Sequence, residues 1–148
     1  MSWAEDLETG KEGERVVRSL LESSGNVRNI IDCSADEYFQ EKDIDFMTEM
    51  TNGKVIKYEV KTDTKAHETD NIVWEHTSSG DVGCLARCEA DCIMYYLQGN
   101  GALYWFWTKE MRRYIEETKP RLIKMADKNT GYLLNIHKSL KKGILRRI

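Results

Sequence analysis

The chain has 148 residues, 41% of them hydrophobic and one of them proline, with a formal net charge of −3. That suits one domain with a sizeable core and excludes a linker-rich or disordered chain. No apolar run approaches the length of a membrane span, and residues 1–10 carry three acidic groups where a secretory signal would be apolar, so the four cysteines are expected to be reduced and the protein cytoplasmic.

The first expected element is a helix, in which Thr9-x-x-Glu12 has the form of a capping box. Val16, Val17, Leu20 and Leu21 recur at helical spacing and make one apolar face, with Glu14 at its edge beside Leu21 and Glu12 on the far side. By position alone Glu14 reads as a surface glutamate paired with Arg18 one turn on. Residues 27–33 read as a short strand and 36–42 as a polar loop. Residues 42–50 and 54–63 read as a hairpin closed at Asn52-Gly53. A further strand is expected at 71–76, with Val73 and Glu75 on one face and Ile72, Trp74 and His76 on the other. A turn at 77–80 follows.

Residues 83–97 have helical spacing, with Cys84, Leu85, Cys88, Cys92, Tyr95 and Tyr96 on one stripe. Gln98-Gly99-Asn100-Gly101 stops that helix. The aromatic run 102–107 reads as an interior strand and Thr108 as the cap of a helix to about Thr118. A last strand at 131–137 precedes a basic tail. This order gives an α/β fold: an antiparallel meander among the first strands, then a parallel crossover through a helix, making a mixed sheet flanked by helices.

The hairpin register decides where its charges fall, because a slip of one residue moves every side chain to the other face. A two-residue loop sets Asp45 opposite Val60 and mixes the faces. A three-residue loop, Thr51-Asn52-Gly53, sets Asp45 opposite Glu59, Asp43 opposite Lys61, Ile44 opposite Val60 and Phe46 opposite Tyr58. Charged and apolar groups then separate, and the three-residue loop is the expected one. Asp45, Glu59 and Lys61 share a face. Two carboxylates suit Mg²⁺, which takes oxygen ligands and keeps several waters, and an adjacent ammonium can act on a phosphate oxyanion or its attacking water. A surface hairpin with cross-strand ion pairs is the plain alternative.

These residues resemble the PD-(D/E)XK nuclease superfamily, with Asp45 as the first aspartate and Glu59-Val60-Lys61 as the (D/E)-x-K triplet; Ile44 stands where the proline of that motif would be. Gly10-Lys11-Glu12-Gly13-Glu14-Arg15-Val16-Val17 is similar to the opening helix of Holliday-junction resolvases and phage-type nucleases. The resemblance covers about residues 10–107, the remainder being a basic helix, strand and tail. It implies a restriction-endonuclease-like α-β-β-β-α-β core. It also implies a Mg²⁺ site, with Mn²⁺ able to substitute, held by Asp45, Glu59 and the Val60 carbonyl. Glu14 and Lys61 complete the catalytic set. The implied substrate is DNA, branched or otherwise structured, and the implied assembly a homodimer.

Residues 1–108 carry 10 Lys/Arg against 21 Asp/Glu, whereas residues 109–148 carry 12 against 4, so a part able to hold cations adjoins one able to hold phosphates. Lys57, Lys65, Ser78, Ser79, Arg112 and Arg113 are the candidate nucleic-acid contacts. Cys84, Cys88 and Cys92 on a straight helix would span about 12 Å, too far for one tetrahedral metal, and read as packing. The charge pattern fits an inactive nucleic-acid-binding module equally well, and a second alternative is an oligomeric interaction protein using the 84–96 helix and the aromatic strand.

Overall fold

The computed structural model describes residues 2–78, 81–125 and 129–148, with only the backbone described at 78, 81 and 82. The nucleic-acid contact expected at Ser79, and part of the turn expected at 77–80, lie outside the described residues.

Helix α1, Trp3–Ser23, starts earlier than the sequence suggested: Ser2 is its N-cap, in a reciprocal capping box with Glu5, so Thr9 and Glu12 lie inside the helix. Val17 and Leu21 are buried on its inner face, as expected, with Val16 and Leu20 packed at the margin. Strand β1 (Val27–Asp32) follows. After a one-turn helix α2 (Glu37–Gln40) come β2 (Phe46–Met50) and β3 (Val55–Asp63). The three strands form an antiparallel meander. The expected three-residue loop is present: the Met50 N–H donates to the Lys54 carbonyl at 2.8 Å, and Gly53 takes φ +86°. Gly53→Ala meets open space there but a disfavoured left-handed backbone, so it should cost about 1 kcal/mol in chemical denaturation.

Beyond β3 the chain leaves this sheet. Helix α3 (Ala66–Thr69) leads to β4 (Asn71–Ser78), which belongs to a second sheet rather than to the meander. Ile72 and Trp74 face the core on one side of β4, as their alternation predicted. The expected 83–97 helix is not formed. Instead β5 (Asp81–Val82) and a single turn α4 (Cys84–Arg87) precede β6 (Cys92–Leu97), which pairs parallel with β3. All six residues of β6 are buried, Ile93, Tyr95 and Leu97 on one face and Cys92, Met94 and Tyr96 on the other. A strand covered on both sides has no polar face, and its apolar residues here coincided with helical spacing. The parallel crossover is therefore real, but it runs through a sheet hairpin and short helical turns rather than one helix.

Strand β7 (Leu103–Trp107) and helix α5 (Thr108–Thr118) fall where expected, except that Trp107 is the N-cap and Thr108 is the first helical residue, its hydroxyl donating to the Ala90 carbonyl at 2.7 Å. Strand β8 (Leu122–Lys124) and β9 (Thr130–Asn135) join the second sheet. The expected last strand is shorter than predicted, because Asn135 caps a helix α6, Ile136–Lys141, and Arg146–Arg147 then form β10. The main sheet has the order β1-β2-β3-β6-β7-β10 and the second β5-β4-β9-β8. In the main sheet the β3–β6 pair is parallel and the others are antiparallel, giving the expected mixed sheet. Helix α1 covers one face through Val17, Leu21, Phe46, Tyr58 and Met94. The second sheet with α4 and α5 covers the other through Trp74, Ile93, Phe106, Met111 and Leu134. No helix among the described residues is long and apolar enough to cross a membrane.

Candidate functional site

The meander opens into a fork at its end. Phe46 pairs with Tyr58, and the Asp45 N–H still reaches the Tyr58 carbonyl at 2.8 Å. Asp43 then takes φ +54°, a left-handed backbone, and turns the chain off the sheet. The register expected for the hairpin consequently holds through Phe46 opposite Tyr58 and fails at Asp45, whose N–H takes the Tyr58 carbonyl instead of facing Glu59 across the ladder. Ile44 packs with Cys88 and Ala90 on the second-sheet side instead of opposite Val60. Asp43 forks to Arg87 at 3.0 Å through both Nε and NH2, rather than facing Lys61 across the ladder. Sequence reading missed this pair because its members lie on different elements 44 positions apart.

Where the strands part, the Val60 N–H loses its ladder partner and donates to the Asp45 carboxylate at 2.7 Å. That bond aims Asp45 into the fork. The Asp45 and Glu59 carboxyl groups lie close enough to shift each other's proton affinity. Lys61, two residues along the same face of β3, has its ammonium 3.2 Å from Glu59. Glu59 is nearly covered, its side chain 10% exposed, while that of Lys61 is 32% exposed. The structure therefore brings Asp45, Glu59 and Lys61 together, and Glu14 joins them from α1. Glu14 lies within electrostatic range of both Glu59 and Asp45. It is not paired with Arg18, whose guanidinium goes to Glu22 at 3.0 Å and Asp32 at 3.1 Å.

Gly13 makes the approach of α1 possible. A Cβ there would stand 1.9 Å from Thr62 Oγ1 and 3.2 Å from Thr62 Cβ. Gly13→Ala should push α1 off β3 at a cost of about 1–3 kcal/mol, read as a lower unfolding midpoint, and should carry Glu14 away from the carboxylates.

Three acids share this small space, and their proton affinities record it. Burial pushes the Glu59 carboxyl up, against the pull of the Lys61 ammonium and with further push from Asp45 and Asp43. Burial also raises Asp45 to about 6, opposed by the Val60 N–H and reinforced by the charge of Glu14. Glu14 is raised by burial and then by Asp32 and Glu59. Lys61 moves the other way for a buried amine: burial works to neutralise it, but the Glu59 carboxylate overrides this and holds it charged. Crowded carboxylates that repel one another and face a permanent ammonium form a donor set suited to a hard divalent cation, which would relieve the repulsion.

The remaining candidates lie apart from one another. Lys57 precedes Glu59 on β3, with its N–H on Asp91 at 2.9 Å. Lys65 is exposed before α3 and Arg113 on α5. The guanidinium of Arg112 donates to the carbonyls of Leu85 at 2.7 Å and Cys88 at 2.6 Å and stacks on Trp74, a bracing arrangement. Ser78 ends β4, where its backbone alone is described. Cys84, not foreseen near the site, lies within electrostatic range of Lys61.

No family model matches the chain, and no curated protein was found to be similar to it. Among solved structures, the fold is similar to that of a bacterial homing endonuclease, I-Ssp6803I. The two share 18% identity at a TM-score of 0.53, over 91% of this chain and 93% of that one. The likeness is one of fold, and it extends beyond residues 10–107 into the C-terminal part, for which the sequence offered no counterpart.

Proposed function

We propose that the chain is a divalent-metal-dependent nuclease that hydrolyses phosphodiester bonds in DNA, on the PD-(D/E)XK plan. The observation that carries this reading is the fork: the Val60 N–H aims Asp45 towards Glu59 and Lys61, and Glu14 of α1 lies within electrostatic range of both carboxylates. The fold likeness to a homing endonuclease supports it. Asp45 and Glu59 would hold Mg²⁺, with the Val60 carbonyl as a further oxygen donor and Mn²⁺ as a substitute. A cation bound there lowers the pKa of a coordinated water and offsets charge at phosphorus.

The chain's own groups do the rest. The Val60 N–H fixes the Asp45 carboxylate, so that it does not swing away when charge moves nearby. Lys61, held charged by Glu59, donates to the attacking water or to the oxyanion that develops on the phosphate. Glu14, raised by its surroundings, can accept a proton from that water. Lys57, Lys65 and Arg113 are offered as backbone phosphate contacts, which would steepen the salt dependence of binding.

The deciding experiment incubates the full chain with linear, circular, branched and single-stranded DNA in Mg²⁺, Mn²⁺ or EDTA. Cleavage in either metal and none in EDTA is expected. Absence of cleavage on every substrate, with DNA binding retained, would favour a binding module of the same fold. A concentration-dependent mass measured alongside tests the homodimer.

A further inference from the structure

With the 83–97 helix replaced by α4 and β6, the cysteine stripe splits between the two cores, and Cys84 and Cys88 lie in the second-sheet core without a part in the nuclease site. Cys92 now lies on β6 in the α1 core, away from the other two. Cys84 and Cys88 bracket the single turn α4, with their sulfurs within 4.8 Å of each other. Facing them is Asp43, whose left-handed backbone brings its carboxylate to α4. One carboxylate oxygen of Asp43 and the Sγ atoms of Cys84 and Cys88 all lie within 4.8 Å of one another. Cys84 is 0%, Cys88 3% and Asp43 8% exposed.

We propose that Asp43, Cys84 and Cys88 form a second metal site, for a thiophilic divalent ion such as Zn²⁺, Co²⁺ or Cd²⁺. Two sulfurs and one oxygen make a soft donor set that Mg²⁺ does not favour, which separates this site chemically from the carboxylate pair at the fork. Tetrahedral coordination with Zn–S near 2.3 Å and Zn–O near 2.0–2.2 Å sets ligand atoms about 3.5–4 Å apart, so the trio closes with little movement. Three protein ligands leave a fourth position for water.

The buried position is electrostatically consistent. Binding releases both thiol protons, so a divalent ion with two thiolates adds no net charge. The Lys61 ammonium lies in range of Cys84 and offsets its thiolate. Arg87 does not block the site. A carboxylate has about four lone-pair positions, and Asp43 can coordinate through one while the guanidinium keeps its hold, as partners of metal-bound carboxylates commonly do. The segment is already tied to the end of α4, with the Glu89 N–H on the Lys42 carbonyl at 2.8 Å and the Cys88 thiol on the Asp43 carbonyl. An ion here pins α4, beside Lys61, to the segment that leads into Asp45.

The test is a Co²⁺ titration of the reduced full chain without DNA, followed by absorption, so it does not depend on nuclease activity. One equivalent of Co²⁺ should produce a near-ultraviolet thiolate-to-cobalt band and visible bands of tetrahedral cobalt, and Zn²⁺ but not Mg²⁺ should displace them. Cys84→Ser and Cys88→Ser should each weaken the thiolate band and lower affinity. Asp43→Asn should lower affinity at least about tenfold, while Cys33→Ser and Cys92→Ser change nothing. No thiolate band in the unmodified chain, which needs no substituted protein to fold, overturns the proposal. So does a band that survives loss of both Cys84 and Cys88, or one that requires Cys33 or Cys92.

Discussion

Lys61→Ala is expected to lower the single-turnover rate of DNA cleavage by about 10²–10³-fold or more, with little change in the Kd for DNA. The magnitude follows from what one preorganised donor contributes to a developing oxyanion in a partly desolvated site. Lys61 suits that role because its charge is secured locally: Glu59 sits 3.2 Å away, and its carboxylate keeps the amine protonated despite burial. The fold should survive the change. Without Lys61 the Glu59 carboxyl loses the one neighbour that pulls its pKa down and becomes more fully protonated, so no lone charge is left in the interior. Circular dichroism checks this, and Lys61→Met separates loss of charge from loss of volume. A rate within a few-fold of the unmodified protein would remove Lys61 from the reaction.

The arrangement that supports this prediction was legible in the sequence to the extent that it is local. The hairpin declared its register, since a positive-φ glycine in a three-residue loop is the arrangement that sorts Tyr58 and Phe46 from Asp45 and Glu59. Helix α1 and the edge position of Glu14 followed from 3.6-residue spacing. What failed was where local pattern and tertiary cover disagree. Cys84, Cys88, Cys92 and Tyr95 keep a helical interval, yet Cys92 and Tyr95 belong to a strand whose two faces are both buried, and full burial erases the alternation that marks a strand. The turn at Asp43 was equally hidden. Its left-handed backbone is held by Arg87 and Cys88, which arrive from an element read as part of something else. Its consequence is large, because the divergence it imposes frees the Val60 N–H and opens the fork.

The carboxylate crowding leads to the second expectation: Asp45→Asn should abolish cleavage and at the same time make the metal-free protein more stable at pH 8. Asp45 binds its proton more tightly in the folded state, at about 6, than in the unfolded chain, where the ordinary value is 3.8. Between these limits the folded state carries the extra proton, so stability falls as pH rises. The contribution is fully present below about pH 4, declines through pH 4–6 and is gone above about pH 6. Asparagine keeps an oxygen for the Val60 N–H but brings no charge beside Glu59 and Glu14. A shift of about two units is worth up to about 3 kcal/mol, or a rise in Tm of very roughly 2–10 °C for a chain of this length. Thermal unfolding from pH 4 to 9 in EDTA should show a steep decline for the unmodified protein and a shallower one for Asp45→Asn. Mg²⁺ or Mn²⁺ should then raise the Tm of the unmodified protein, since a ligand bound only by the folded state stabilises it, and should do little for the variant. Equal pH profiles would mean that the Asp45 charge is relieved by something other than a cation. Parallel curves together with lost cleavage would confine Asp45 to the reaction and remove the repulsion as its cause.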